Sequence, residues 1–332
     1  MKRFTEIQQS ILHHLQDGRC HSGAELGEAM NVSRTAIWKQ IRQLISYGLP
    51  ITTLSKQGYQ LTRPFVMLNE NEIRQHINTD NFHPYKFHLF SSLDSTNRYL
   101  KDIAVSSNID ICCSEEQTQG RGRFNRHWHS PFGENIYFSS RWQFNHDLSR
   151  LSGLSLVVSL AILHTLKQLK LSQNISIKWP NDILWQNKKI CGSLVDIMAE
   201  SNGNTMLIIG IGLNVNSHTE NQFIEHRPWC SLFEISGQYF NRNRIIGYLI
   251  NQLNTYLKKF FRDGFETFKE QWQQHDYLAG KHISVTQPIG ALHGLAKGVT
   301  TSGELVLEDK GKKIHYLSSG DTSLHSDLSE SN

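Results

Sequence analysis

Residues 175–198 read ISIKWPNDILWQNKKICGSLVDIM, and residues 206–216 read MLIIGIGLNVN. Short apolar runs at 175–178, 189–198 and 206–215, punctuated by Pro, Asn and Gly, predict strands of a well-filled sheet. Upstream, 85–91, 109–114 and 135–141 predict further strands, 95–105 a helix, and 148–171 one long apolar helix. Strands alternating with helices give a central domain of the α/β (α+β) class, spanning residues 83–276. Its C-terminal part, 242–275, reads as helices with Leu249, Leu253, Leu257 and Phe261 on one face.

The flanks read differently. Phe4, Ile7, Ile11 and Leu15 fall at helical spacing, and Asp17-Gly18 ends that helix. Ser22 with Glu25 three residues on is a capping box opening a second helix through Met30. Ser33 caps a third helix carrying Ile37, Ile41, Leu44 and Ile45, which ends at Tyr47-Gly48. Strand-like runs at 51–54 and 59–61, joined by SKQG, predict a hairpin. Three helices and a hairpin over residues 1–63 have the order of a winged helix-turn-helix, followed by a linker and short helix over 64–82. After Gly280, short runs at 282–285, 294–300, 304–307 and 313–317 predict a small antiparallel barrel over 277–322. The polar stretch from Ser318 onward reads as frayed, with 323–332 a tail.

Composition narrows the class. Of 332 residues, 38% are hydrophobic and 19% charged, an ordinary globular balance for two or three domains. No run approaches the roughly 18 consecutive apolar residues of a membrane span. The N-terminus lacks a signal peptide's apolar core and small-residue cleavage site, and five cysteines show no CxxC spacing. The expectation is a cytoplasmic protein with free thiols and no membrane partner. Residues 1–63 hold eight Lys and Arg against four Asp and Glu, a surplus equal to the +4 of the whole chain. That concentration suits a polyanion, with Arg34, Thr35, Trp38, Lys39 and Arg42 exposed on the third helix and Lys56 at the wing tip. A basic module that docks protein would show the same pattern.

Four central stretches carry chemistry. The loop at 116–128, EQTQGRGRFNRHW, offers Arg121, Arg123 and Arg126 among glycines, suited to gripping phosphate or carboxylate. It matches neither GxxxxGK[ST] nor GxGxxG. KWPND (178–182) places a cation and a carboxylate within five residues, and Lys189 opens an otherwise apolar strand. GIGLNVN (210–216) ends a strand with glycines and the Asn214 amide, which can bond a nucleotide. Several arginines, lysines and one free carboxylate suit a small carboxylic acid attacking the α-phosphate of ATP, because two anions must be neutralised before they can meet. Asp182 is a candidate partner for Mg²⁺. Each stretch alone also fits a solvated loop or a snorkelling lysine.

Taken in order, Ser95-Thr96-Asn97, GRGR (120–123), SPFG (130–133), KWPND, the K-x-x-G of 189–192 and GIGLNVN resemble the bifunctional biotin protein ligase and biotin operon repressor family of bacteria. The resemblance implies a winged helix-turn-helix, a mixed-sheet biotin/lipoate ligase-like catalytic domain and an SH3-like β-barrel. It implies two steps: biotin and MgATP form biotinyl-5′-adenylate, then a lysine of the biotin carboxyl carrier protein of acetyl-CoA carboxylase takes the biotin. Carried onto this chain, Ser95, Thr96, Gln117 and the Gly120 backbone bind biotin. Arg121, Arg123 and Lys189 gather over the phosphate and biotin carboxylate, and Asp182 assists adenylation. Arg126, Trp128, Asn181 and Asn214 lie by the nucleotide, with Mg²⁺ near Asp182 and Asn214. Operator DNA of the biotin biosynthesis operon is met by the third helix, including Ser33, and by Lys56, from a homodimer formed when the adenylate is bound.

Two departures are expected to matter. The family loop reads GRGRRGR-x-W, whereas Phe124-Asn125 replaces the Arg-Gly pair, removing a cation and a flexible residue. Asp196 stands where Glu is expected, with a shorter reach. Competing readings are a ligase that no longer binds an operator, a ligand-sensing DNA binder with degenerate catalysis, and a lipoate ligase.

Overall fold

The computed structural model describes residues 4–78, 84–144, 147–171, 173–199, 205–218, 228–287 and 290–324. Helices α1 (Glu6–Leu15), α2 (Gly23–Ala29) and α3 (Arg34–Ser46) precede the hairpin β1 (Ile51–Leu54) and β2 (Gly58–Leu61). The Ser22–Glu25 capping box is present in both directions, and Ser33 caps α3 by accepting the Ala36 N–H. Leu12, Leu15, Leu26, Ile37, Ile41 and Leu44 close the module's core, whereas Ile45, expected there, is 39% exposed. The wing is fixed by a backbone bridge between His21 and Tyr59. A Cβ at Gly58 would lie 2.0 Å from the His21 carbonyl, so only glycine allows that approach.

The central domain follows α4 (Glu70–Arg74) with β3 (Tyr85–Phe90), α5 (Thr96–Asp102), β4 (Ile109–Ser114), β5 (Ile136–Phe144) and α6 (Leu154–Gln168). Next come β6 (Ile175–Lys178), β7 (Asp182–Trp185), β8 (Lys188–Ala199) and β9 (Thr205–Leu213), then α7 (Leu232–Ser236), α8 (Arg242–Asp263) and α9 (Lys269–Gln273). Seven strands run β3-β4-β5-β9-β8-β7-β6; only β3–β4 is parallel, so the sheet is mixed as expected. Helices α6 and α8 pack together and against it, burying one continuous core from Ile73 to Leu317.

Two sequence readings of this domain are corrected. The long helix over 148–171 is a 3₁₀ turn at Leu148–Leu151 followed by α6, because Gly153 adopts φ 80 and breaks the run. This stretch, Leu148–Gln168, is apolar and long enough by composition to cross a membrane, but α6 is packed inside the domain core. Strand β7 was not expected. It turns into β8 at Gln186 and Asn187, both with positive φ, the pair a type I′ hairpin needs.

The C-terminal strands are β10 (His282–Gln287), β11 (Gly290–Val299), β12 (Leu305–Glu308), β13 (Ile314–Leu317) and β14 (Asp321–Leu324). They form an antiparallel sheet ordered β13-β12-β11-β10-β14, and no ladder joins β13 to β14 among the described residues. β14 corrects the reading of a frayed chain from Ser318 and of a tail from residue 323. It pairs with β10, and the buried Thr322 hydroxyl donates to the Trp179 carbonyl at 3.1 Å. Residues 325–332 of the expected tail, and 79–82 of the expected linker, lie outside the described residues.

Phe132 ties the N-terminal module to the central domain: its ring lies 5.5 Å from Phe4 and 6.2 Å from Phe65. Arg63 pairs with Glu134 beside it. Behind this contact Arg242 and Glu115, each 2% exposed, form an ion pair at 2.6 Å. Arg242 also donates to the carbonyls of Asn135 and Val66, which satisfies a buried charge that would otherwise be costly.

Candidate active site

A cleft of about 1110 Å³ lies between the 117–129 loop, the start of α5, and strands β7, β8 and β9. Eleven of the twelve residues expected to act on substrates line it: Ser95, Thr96, Gln117, Arg121, Arg123, Arg126, Trp128, Asn181, Asp182, Lys189 and Asn214. Gly120 does not. Its carbonyl takes the Trp128 N–H at 2.9 Å, and a Cβ there would sit 2.4 Å from the Trp128 carbonyl. Gly120 therefore closes the loop on itself and reaches the cleft only through its neighbours.

One end of the cleft is a hydrogen-bonded polar pocket. Ser95 caps α5, and Gln117 Oε1 accepts both the Thr96 N–H at 2.9 Å and its hydroxyl at 3.1 Å. Ser139 Oγ lies 2.7 Å from Thr96 Oγ1 and 2.6 Å from Asn97 Oδ1. The Asn97 amide donates to Asp196 at 2.9 Å, and Lys101 meets the same carboxylate oxygen at 3.0 Å. The glycines of GIGLNVN make the room: a Cβ at Gly210 would fall 2.2 Å from Asn97 Oδ1, and one at Gly212 about 2.4 Å from the Trp128 indole.

The other end carries charge. Lys189 Nζ pairs with Asp182 at 2.6 Å and sits 5.2 Å from the centre of the Trp128 ring. Arg123 donates to Asn181 at 3.3 Å, and burial pulls its pKa down, with Asp182 and Asp321 opposing that shift. Arg126 is bound bidentately by Asp321 of β14 at 3.0 and 2.6 Å, which raises its pKa; the expected nucleotide ligand is thus engaged by the C-terminal domain. Arg121 is exposed. Phe124 and Asn125 both adopt positive φ, 55 and 56, and Phe124 lies 5.0 Å from the Arg123 guanidinium, half exposed. Asn is the non-glycine residue that best tolerates this conformation, so position 125 keeps its backbone shape without the glycine. Two buried polar atoms without partners, Trp128 Nε1 and Ser193 Oγ, both belong to lining residues, as a site that awaits a polar ligand requires.

The arrangement suits Mg²⁺ only as a metal carried in on a nucleotide. No cluster of three or more His, Cys, Asp or Glu exists among the described residues, and Asp182 is already paired with Lys189. Magnesium is commonly held by one carboxylate plus phosphate oxygens, and Asp182 is a carboxylate of the cleft lining. Asn214 donates through Nδ2 to the Lys189 and Cys230 carbonyls at 3.4 and 3.2 Å, so it braces β8 as well as lining the cleft.

Residues 89–214 match the Biotin/lipoate A/B protein ligase family, 7–60 an HTH domain and 279–324 the Biotin protein ligase C terminal domain. The Bifunctional ligase/repressor BirA of Salmonella typhimurium is 31% identical over 308 residues, covering 92% of this chain and 94% of that protein. This chain belongs to the bifunctional biotin ligase/repressor family. The Escherichia coli member is likewise 31% identical, over 92% of this chain and 93% of its own. The biotin protein ligase from Aquifex aeolicus in complex with biotin and ATP superposes with a TM-score of 0.61 at 28% identity, covering 72% of this chain and 98% of that one.

The N-terminal module presents a surface of its own. Ser33, Arg34, Thr35, Trp38, Lys39 and Arg42 are all exposed on or at the start of α3, and Lys56 is exposed at the wing turn. Arg42 lies 5.3 Å from the centre of the Trp38 ring, which is 49% exposed rather than packed away. Sequence reasoning missed Lys101, His127, His129, Trp229 and Asp321, which also line the ligase cleft. For Lys101 a signal existed: it is one helical turn beyond the Asn97 of the Ser-Thr-Asn motif. All five cysteines are free, as expected.

Proposed function

We propose that this chain is an ATP-dependent biotin protein ligase that makes biotinyl-5′-adenylate and passes biotin to a lysine of the biotin carboxyl carrier protein, and that it represses the biotin operon with the adenylate as corepressor. The observation that carries the reading is the Lys189–Asp182 pair, at 2.6 Å, in one cleft with Arg121, Arg123 and the polar pocket of Thr96 and Gln117. Biotin has an uncharged polar head and a carboxylate tail, and the cleft has a hydrogen-bonded polar end and an end where Arg121, Arg123 and Lys189 gather. In the first step a carboxylate oxygen bonds to the α-phosphorus while the bond to pyrophosphate breaks. Lys189, Arg121 and Arg123 neutralise both anions and hold them in line, which is where such a reaction gains its rate. Mg²⁺ on ATP would offset charge on the departing phosphates, with Asp182 as the protein oxygen on offer. In the second step the acceptor lysine amine attacks the biotinyl carbonyl, AMP leaves, and the same cations stabilise the departing phosphate. No side chain becomes covalently attached.

The repressor half rests on the HTH domain and on the exposed, basic face of α3 with Lys56 on the wing. Its ligand is the biotin operator, met by a homodimer that forms when the adenylate is bound, with half-sites about one helical turn (~34–36 Å) apart. The protein acts in the cytoplasm, where both partners reside. The test of the ligase reading is transfer of labelled acid to carrier protein with ATP present. Biotin is transferred and lipoate is not; lipoyl transfer without biotinyl transfer overturns it.

A further inference from the structure

We infer that His129 is the general base of the second step: its imidazole takes a proton from the acceptor lysine's ammonium group, so that a free amine meets the biotinyl carbonyl. The inference rests on the ligase reading above and adds a catalytic residue to it. An alkylammonium ion loses its proton near pH 10.4, so at pH 7 fewer than about one acceptor lysine in a thousand carries the lone pair the attack needs. A base beside the adenylate removes that handicap. The ring nitrogen takes one ammonium proton, and the amine lone pair then bonds the carbonyl carbon. The C–O bond to AMP breaks with its electron pair on the phosphate. The second proton leaves the new amide nitrogen for solvent, and His129 returns its own to water.

The cleft leaves few groups to do this. Three carboxylates line it, and a cation engages each: Asp182 meets Lys189 at 2.6 Å, Asp196 meets Lys101 at 3.0 Å, and Asp321 meets Arg126 at 2.6 Å. A carboxylate so paired is a poor base, because the cation beside it favours the ionised form. The other lining groups that accept a proton near neutrality are His127 and His129, and neither imidazole has a hydrogen-bond or ion-pair partner among the described residues. His129 is the better placed. Trp128 before it donates its N–H to the Gly120 carbonyl at 2.9 Å, and its ring centre lies 5.2 Å from Lys189 Nζ. Ser130 after it is buried, accepts from Gln117 Nε2 at 3.2 Å and donates through Oγ to the Trp128 carbonyl at 3.0 Å. His129 is thus the middle residue of a closed turn, pinned on both sides and next in the chain to the ring that meets Lys189. His127 is bridged instead to Arg121, itself exposed. The charges around the His129 ring are His127 on its own loop and Glu134 beyond SPFG, and Arg63 already pairs with Glu134. Burial, then His127, lowers the His129 pKa against the weaker pull of Glu134, so the imidazole is unprotonated and able to accept at neutral pH.

The test loads full-length protein with biotin and ATP and follows transfer from the preformed adenylate to carrier protein in a single turnover, from pH 6 to pH 9.5. Wild type is compared with His129→Ala and His129→Gln, and exchange of labelled pyrophosphate into ATP reports the first step in each. Wild-type transfer should be nearly constant above pH 7. Both variants should transfer about 10²-fold more slowly at pH 7 and gain about tenfold per pH unit toward the lysine's own pKa. Exchange should stay within about twofold. Hydroxylamine, an amine already unprotonated at neutral pH, should take biotin from the adenylate equally fast on all three proteins. Variants that transfer like wild type at pH 7, or whose deficit is the same at pH 7 and pH 9.5, overturn the inference. So does a loss of exchange, or of the hydroxylamine reaction, as large as the loss of transfer, since either marks a structural role. Wild type without biotin-dependent exchange refutes the ligase reading instead, and is seen before any variant is made.

Discussion

Lys189 is the residue whose surroundings argue most directly for chemistry. A lysine at the mouth of an apolar strand is often only snorkelling, but this one is paired with Asp182 and lies beside the Trp128 ring. Lys189→Ala removes a charge that the proposed chemistry uses in both steps, so acceptor labelling should fall about 10²–10³-fold, the range for loss of one preorganised electrostatic partner. Circular dichroism should stay unchanged; normal labelling would remove Lys189 from the site. Asp276 makes a pH prediction. Burial raises its pKa to about 6, against the opposing pull of the Leu278 and Ala279 backbone N–H groups and the Lys281 charge, and Oδ1 accepts the Leu278 N–H at 2.9 Å. A carboxyl whose folded pKa is raised adds stability that is full below its unfolded value near 3.8 and is lost as pH rises through about 6. Relative to wild type, Asp276→Asn should therefore gain about 1–3 kcal/mol between pH 4 and pH 7.5 in denaturant unfolding. A pH-independent difference would contradict this.

Among the elements, those with local chemical punctuation were legible in the sequence. Ser22-x-x-Glu25 and Ser33 announce α2 and α3 because a cap satisfies backbone donors within the segment itself. The elements missed depend on distant partners or on unusual turn residues. The β7–β8 turn uses Gln186-Asn187 at positive φ where Gly is the usual signal, so nothing marked a hairpin. β14 is short and polar, and it is ordered by contacts distant in sequence, its pairing with β10 and the Thr322–Trp179 bond among them. It also supplies Asp321 to Arg126. Truncation after Gly320 should therefore uncover β10, lower the thermal midpoint by several degrees and reduce adenylate retention, measured by dissociation of labelled adenylate. Arg126→Gln should reproduce the retention defect without the full stability loss. Equal retention in both proteins and wild type would detach the C-terminal domain from the cleft. Most cleft residues lay in recognisable motifs, whereas Asp321 and Trp229 arrive from separate segments with no pattern of their own.

At the scale of the whole molecule, the two activities meet at SPFG. Ser130 holds Gln117 of the cleft, and Phe132 two residues on completes the aromatic contact to Phe4 and Phe65. Deleting residues 1–63 should abolish operator binding and leave measurable ligation, weakened because Phe132 loses one side of its packing. Retained operator binding would refute the assignment of DNA contact to α3 and Lys56. With the intact protein, affinity should fall with salt at a log–log slope of about −0.9 per phosphate neutralised. A salt-independent interaction would indicate a protein partner. Adding biotin and ATP to protein and operator DNA should produce a dimer on DNA, and a monomer throughout would remove the corepressor role.

The central claim is that this cleft joins a carboxylic acid to the α-phosphate of ATP and that the acid is biotin. Biotin-dependent exchange of labelled pyrophosphate into ATP measures that step alone, before any acceptor is involved. The account predicts exchange that requires biotin, is not supported by lipoate, and is lost in Lys189→Ala. Exchange driven by lipoate, or biotin-dependent exchange undiminished in Lys189→Ala, would contradict it.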